Sequence, residues 1–101
     1  MGKVLRYRIE KAYPDEFTTN EWEQMSEAKN SWDGPVGKCS RSELIQELVD
    51  YVDGIKRLDP NYDYMSDYSG YENYSTVITL RYFGRFISEM AADDTIYIDY
   101  E

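Results

Sequence analysis

The sequence predicts a small α+β domain occupying 1–101 as one unit, with the order β-α-α-β-β-α-β and helices packed on one face of a mostly antiparallel sheet. Three observations carry this expectation. Leu5, Tyr7 and Ile9 alternate with Arg6, Arg8 and Glu10, which is the period of a half-buried strand. Leu44, Ile45, Leu48, Val49, Val52 and Ile55 repeat at helical spacing behind a Ser40/Glu43 capping box. Leu, Ile, Val and Phe together number only 20 residues, near the roughly 20% level below which charged chains stay unfolded, but eleven Tyr and two Trp restore buriable area.

The first strand is expected over Lys3–Ala12 and ends at Tyr13-Pro14-Asp15. Thr18 with Glu21 has capping-box spacing, which predicts a short helix from about Glu21 whose Trp22, Met25, Lys29 and Trp32 share a face before Asp33-Gly34-Pro35 breaks it. The second helix is expected from about Arg41 to Arg57, with Glu43, Glu47, Asp50 and Asp53 over its remaining surface and Lys56 and Arg57 at the end favoured by the helix dipole. Asp59-Pro60-Asn61 stops it, and 59–74 reads as a loop leading into a short edge strand. Ser75–Tyr82 reads as a strand, with Thr76, Ile78, Leu80 and Tyr82 facing one way. Phe83, Phe86, Ile87 and Met90 have the spacing of a short helix, weakened by Gly84, and a continued strand competes for 83–92. Thr95–Tyr100 completes the sheet.

Function classes fall away quickly. With no histidine the chain lacks Ser-His-Asp and Cys-His nucleophilic machinery, Cys2His2 zinc sites and imidazole proton shuttles. The lone Cys39 cannot form an internal disulfide and reads as a plain thiol in a reducing compartment. The N-terminus lacks the apolar run of a signal peptide and no stretch approaches membrane-spanning length, so an intracellular chain without membrane contact is expected. Gly34-Pro35-Val36-Gly37-Lys38 fails as a phosphate loop because Trp32 and Cys39 stand where glycine and Ser/Thr are needed. Asp59, Asn61, Asp63 and Asp67 match positions 1, 3, 5 and 9 of a calcium loop, but Tyr64 and Gly70 occupy its glycine and glutamate positions. No catalytic residue, metal site or cofactor is therefore assigned, and the chain is not expected to be an enzyme.

What remains is acidity and its distribution. Residues 1–58 hold eleven acids and nine bases, a net of −2, whereas 59–101 hold nine acids and only Arg81 and Arg85, a net of −7. Two base-free acidic stretches, Asp59–Tyr74 and Glu89–Glu101, flank the central segment, and the first interleaves acids with tyrosines. Carboxylates repeating along an element approach the spacing of DNA phosphates, and tyrosines make strong interface anchors that stack on arginine. Such a surface suits a Lys/Arg-lined nucleic-acid channel. On these two stretches the chain resembles the small acidic anti-CRISPR and anti-restriction inhibitors of phages and mobile elements.

That resemblance implies a non-enzymatic inhibitor acting as an acidic DNA mimic on a CRISPR effector (Cas) nuclease or restriction enzyme in a bacterial cytoplasm. Asp59, Asp63, Asp67, Glu72, Asp93, Asp94 and Asp99 would supply charge, with Tyr62, Tyr64, Tyr68 and Tyr71 as anchors. The expected partner is a basic nucleic-acid-handling protein. Direct nucleic-acid binding is disfavoured by nine excess negative charges. Two alternatives stay open: an immunity protein or antitoxin against a basic nuclease, and an acidic adaptor. Lys3, Arg6, Arg8 and Lys11 either mark the face turned from the partner or pair with acids in the fold.

Overall fold

Strand β1, Leu5–Glu10, lies within the segment whose alternation predicts it, and Leu5 and Tyr7 are buried. The computed structural model describes residues 3–58 and 74–101. After β1 come β2 (Glu23–Met25), a single 3-10 turn (Ser26–Ala28), β3 (Gly37–Ser40), helix α1 (Arg41–Leu58), helix α2 (Tyr74–Glu89) and β4 (Thr95–Tyr100). The sheet order is β2-β1-β4-β3 and every pairing is antiparallel. Leu5 faces Tyr100, Tyr7 faces Ile98 and Ile9 faces Ile96, while Cys39 of β3 pairs with Ile96, so these side chains share one face of the sheet. That face and both helices contribute to one core, with Leu44 of α1 and Ile78, Phe83 and Phe86 of α2 buried against it. The α+β class and the antiparallel sheet covered by helices are as the sequence indicates.

Helix α1 starts and stops within a residue of its predicted bounds because its cap is reciprocal. The Glu43 backbone N–H donates to Ser40 Oγ at 3.1 Å, and the Ser40 N–H donates to Glu43 Oε1 at 3.0 Å.

The helix expected from Glu21 is not formed. Three of its residues pair as β2 with β1, and only Ser26–Ala28 turn helically. The edge of β1 takes a strand partner, and Thr18, the presumed cap, turns back so that its Oγ accepts the Asp15 N–H at 2.9 Å. Trp32 is buried not as the end of a helical stripe but by folding over Gly34, whose added Cβ would lie 2.2 Å from the indole ring, with Nε1 donating to the Pro35 carbonyl. Glycine is required there by that close approach.

The second correction is the strand expected at Ser75–Tyr82, which is the first half of α2, and the competing strand reading beyond Phe83 falls with it. Ile78, Thr79, Tyr82, Phe83 and Phe86 are all buried, at offsets of 0, 1, 4, 5 and 8, a helical stripe that runs across the boundary drawn at Tyr82. Burial of three aromatic rings on one side of a helix outweighs the modest helix penalty of Thr76, Val77, Ile78 and Thr79. The expected loop and edge strand at 59–74 lie outside the described residues except Tyr74, which begins α2.

Gly84 tests this assignment. It is exposed inside α2 and a Cβ would meet no atom within 4 Å, so Gly84→Ala should raise stability by about 0.5–1 kcal/mol in urea denaturation. An unchanged or lowered midpoint would speak against a helix at this position.

Candidate functional site

The cross-strand register decides where the arginines of β1 go. Arg6 lies opposite Asp99 and Arg8 opposite Tyr97 on the sheet face away from the helices. Arg6 pairs with Asp99, and Glu101 lies 3.9 Å from the same guanidinium. Arg8 stacks 3.9 Å from the Tyr97 centroid and 5.5 Å from that of Trp22, which also lies 5.8 Å from Arg6. Lys3 sits over Tyr100 and Lys11 binds Asp94. Of the two roles open to these four bases, pairing within the fold is the one seen for Arg6, Arg8 and Lys11, Arg8 reaching Glu10 at 3.8 Å as well as its rings, while Lys3 rests on a ring.

The sequence-assigned partner residues divide accordingly. Asp59, Asp63, Asp67, Glu72, Tyr62, Tyr64, Tyr68 and Tyr71 lie outside the described residues. Asp93 is exposed in the turn before β4. Asp94 is 2% exposed and turned inward. Its Oδ2 accepts from Lys11 Nζ at 2.9 Å and the Ala91 N–H at 2.8 Å, and its Oδ1 accepts the Ala12 N–H at 3.1 Å. Burial alone would raise its pKa, but these donors prevail and hold it below the ordinary carboxylate value. Asp94 therefore ties β1's end to the turn before β4, and Asp99 is matched by Arg6. Neither stands as a free charge.

A more continuous acidic array lies on α1. Glu43, Glu47, Asp50 and Asp53 are all exposed and follow one another by four, three and three residues, spanning about 15 Å of helix axis. Among the described residues, ion pairs form on Arg6, Arg8, Lys11, Arg81 and Arg85, and none reaches these four carboxylates. The Ser40 N–H holds Glu43 below its ordinary pKa, which keeps it ionised. Burial, with Glu43 and Glu47 adding to it, pushes the Cys39 thiol up and keeps it protonated near neutrality.

A cleft of about 270 Å³ opens toward the β2 edge of the sheet, lined by Tyr7, Ile9, Lys11, Phe17, Glu23 and Glu89 among others. Tyr7 is 2% exposed, yet its hydroxyl lies 2.6 Å from Glu89 Oε2 and 3.0 Å from Glu23 Oε2. Burial first, then these carboxylates, drive its pKa far above the ordinary phenol value. Arg85 spans the two acids, donating to Glu89 Oε1 and to Glu23 Oε2 at 3.3 Å each. One turn back on α2, Tyr82 bonds Glu27, and burial followed by that carboxylate raises its pKa to about 12. Sequence reasoning missed this cluster because Tyr7, Glu23 and Glu89 are separated by 16 and 82 positions from Tyr7 and match no motif.

Among the described residues no helix is long and apolar enough to cross a membrane, and no group of three His, Cys, Asp or Glu is arranged to hold a metal ion. No protein-family model, curated protein or solved structure matches the chain, so its function is read from its own residues.

Asp94→Asn puts an amide among donors and should lower stability at pH 7 by about 1–3 kcal/mol in urea denaturation. The folded state depresses the Asp94 pKa below 3.8, so its contribution is complete above that value and is lost as pH falls through the folded pKa. The wild-type advantage should accordingly persist at pH 6 and shrink below about pH 4. A difference that grows on acidification would exclude this role.

Proposed function

We propose that this chain is a non-enzymatic inhibitor that binds the basic nucleic-acid-binding surface of a Cas nuclease or restriction enzyme, presenting carboxylates in place of DNA phosphates in the bacterial cytoplasm. The observation that carries the reading is the exposed line Glu43, Glu47, Asp50, Asp53 on α1, without a base paired to it among the described residues. The acidic, Tyr-rich stretch 59–72 follows α1 directly in sequence and extends the supply of carboxylates.

A rigid helix suits such mimicry. The Cβ atoms of acids one turn apart lie about 5–6 Å from each other on a backbone that needs no ordering at binding. Charge complementarity with a Lys/Arg channel would steer encounter at low salt. Asp93 adds an exposed charge at the end of the sheet, and Asp99 contributes only if Arg6 is drawn away.

Two measurements test the reading. Binding to Cas and restriction nucleases should compete with DNA and weaken steeply between about 50 and 200 mM salt. The triple change Glu47→Gln, Asp50→Asn, Asp53→Asn leaves the Ser40/Glu43 cap in place and should reduce affinity roughly tenfold while flattening the salt dependence. Affinity indifferent to salt and to this triple change would end the proposal.

A further inference from the structure

We propose that the cleft beside Tyr7 receives a single arginine side chain of the partner, its guanidinium held by the carboxylates of Glu21 and Glu23 against the ring of Phe17. This rests on the reading above that the partner is basic, and it specifies one contact of that partner.

Size and chemistry lead to this occupant. At about 270 Å³ the cleft is just under the range of drug-sized ligand sites, roughly 300–1,000 Å³, and suits one long side chain. Its bases are already committed: Lys11 Nζ donates to the Glu89 carbonyl at 2.8 Å and to Asp94 at 2.9 Å, and the Arg8 guanidinium lies against Tyr97 on the opposite sheet face. The phenolic proton of Tyr7 serves Glu89. Arg85 reaches Glu23 and Glu89 only at 3.3 Å, long for charged hydrogen bonds. Glu21 and Thr19 have no side-chain bond among the described residues. Glu89 accepts at both oxygens and Glu23 at Oε2 only, so the vacant carboxylate acceptors of the lining, among the described residues, are Glu23 Oε1 and the two oxygens of Glu21, and the complementary ligand is a cation with several N–H groups.

Phe17 selects among cations. Its ring is 82% exposed on the lining of the cleft, although it is one of only three phenylalanines in the chain and the other two are buried in the core. A planar guanidinium can stack on that ring while its fork meets a carboxylate, which a lysine ammonium cannot do as well.

The test uses the free full chain and N-acetyl-arginine amide, followed by backbone amide NMR. Saturable shifts should appear at Phe17 to Glu23 and at Glu89, with a dissociation constant on the order of 1 mM. N-acetyl-lysine amide should bind several-fold more weakly. Glu21→Gln and Phe17→Ala alter side chains that make no hydrogen bond or ion pair among the described residues, so they should fold normally and weaken binding of the arginine amide at least threefold. No saturable shift, shifts centred elsewhere, or binding by both variants as tight as that of the unaltered chain would overturn the assignment. The two levels separate cleanly: nuclease inhibition without arginine-amide binding removes the cleft contact alone, and arginine-amide binding without any nuclease bound removes the inhibitor reading alone.

Discussion

The pairing of the first strand with the last is the constraint on which the rest of this structure depends. β1 and β4 run antiparallel over six residue pairs in the middle of the sheet, and the contact continues past their ends where the Glu101 N–H donates to the Val4 carbonyl at 3.1 Å. Every inward position of this pair is apolar or aromatic, and α2 closes over it with Phe86 4.4 Å from Tyr7, centroid to centroid. Trp32 adds a third layer, 5.2 Å from Phe83 and 5.7 Å from Phe86. A one-residue slip of β4 would move Ile96 and Ile98 to the open face and bring Asp99 toward the rings, so the register is strongly held.

That register also sorts the charges. It sets Arg6 against Asp99 and Arg8 against Tyr97, and it carries Asp94 to the point where Lys11 leaves β1. Arg6, Arg8 and Lys11 are thereby engaged on the sheet and its rim, and Arg81 and Arg85 on α2 face Glu27, Glu23 and Glu89. α1 packs through Leu44, Leu48 and Tyr51 and directs its carboxylates outward, beyond reach of these bases. A net charge of −9 becomes a local field because pairing is uneven. Paired acids contribute little beyond a Debye length, about 8 Å at physiological salt, whereas the unpaired line on α1 is felt by an approaching basic surface.

How far the sequence could be read depended on whether the signal was local. β1, α1 and β4 declare themselves by alternation or by helical repeat with a cap, and all three are found. The outward carboxylates of α1 were equally visible as the positions between its apolar residues. At 75–82 the β-branched run suggested a strand, and the deciding stripe became clear only when Ile78 to Phe86 was taken as one segment. At 21–32 the spacing of Trp22, Met25 and Trp32 imitated a helix, while the deciding interaction, an edge of β1 needing a partner, was a matter of tertiary pairing. The burial of Asp94 and the meeting of Tyr7 with Glu23 and Glu89 are likewise products of long-range contact, for which charge counting along the chain offers no signal.

The two acidic features lie toward opposite edges of the sheet. α1 packs beside β3, the Tyr7 cleft opens beside β2, and β1 and β4 stand between. With neighbouring strands about 4.8 Å apart, three strand intervals separate them by about 14 Å. Both belong to the side of the sheet that carries the helices, since Tyr7 and Glu23 face that way and Glu89 comes from α2 itself. A partner approaching from this side meets a line of carboxylates and, across the width of the domain, a cleft rich in acceptors. One approaching the open sheet face meets arginines already paired or stacked on Tyr97 and Trp22, with little net charge to attract it. The polarity of the domain thus follows from uneven pairing: β1 and its flanks hold Arg6, Arg8 and Lys11 in ion pairs with acids of the sheet and its rim, while the four acids of α1 keep no ion-pair partner among the described residues.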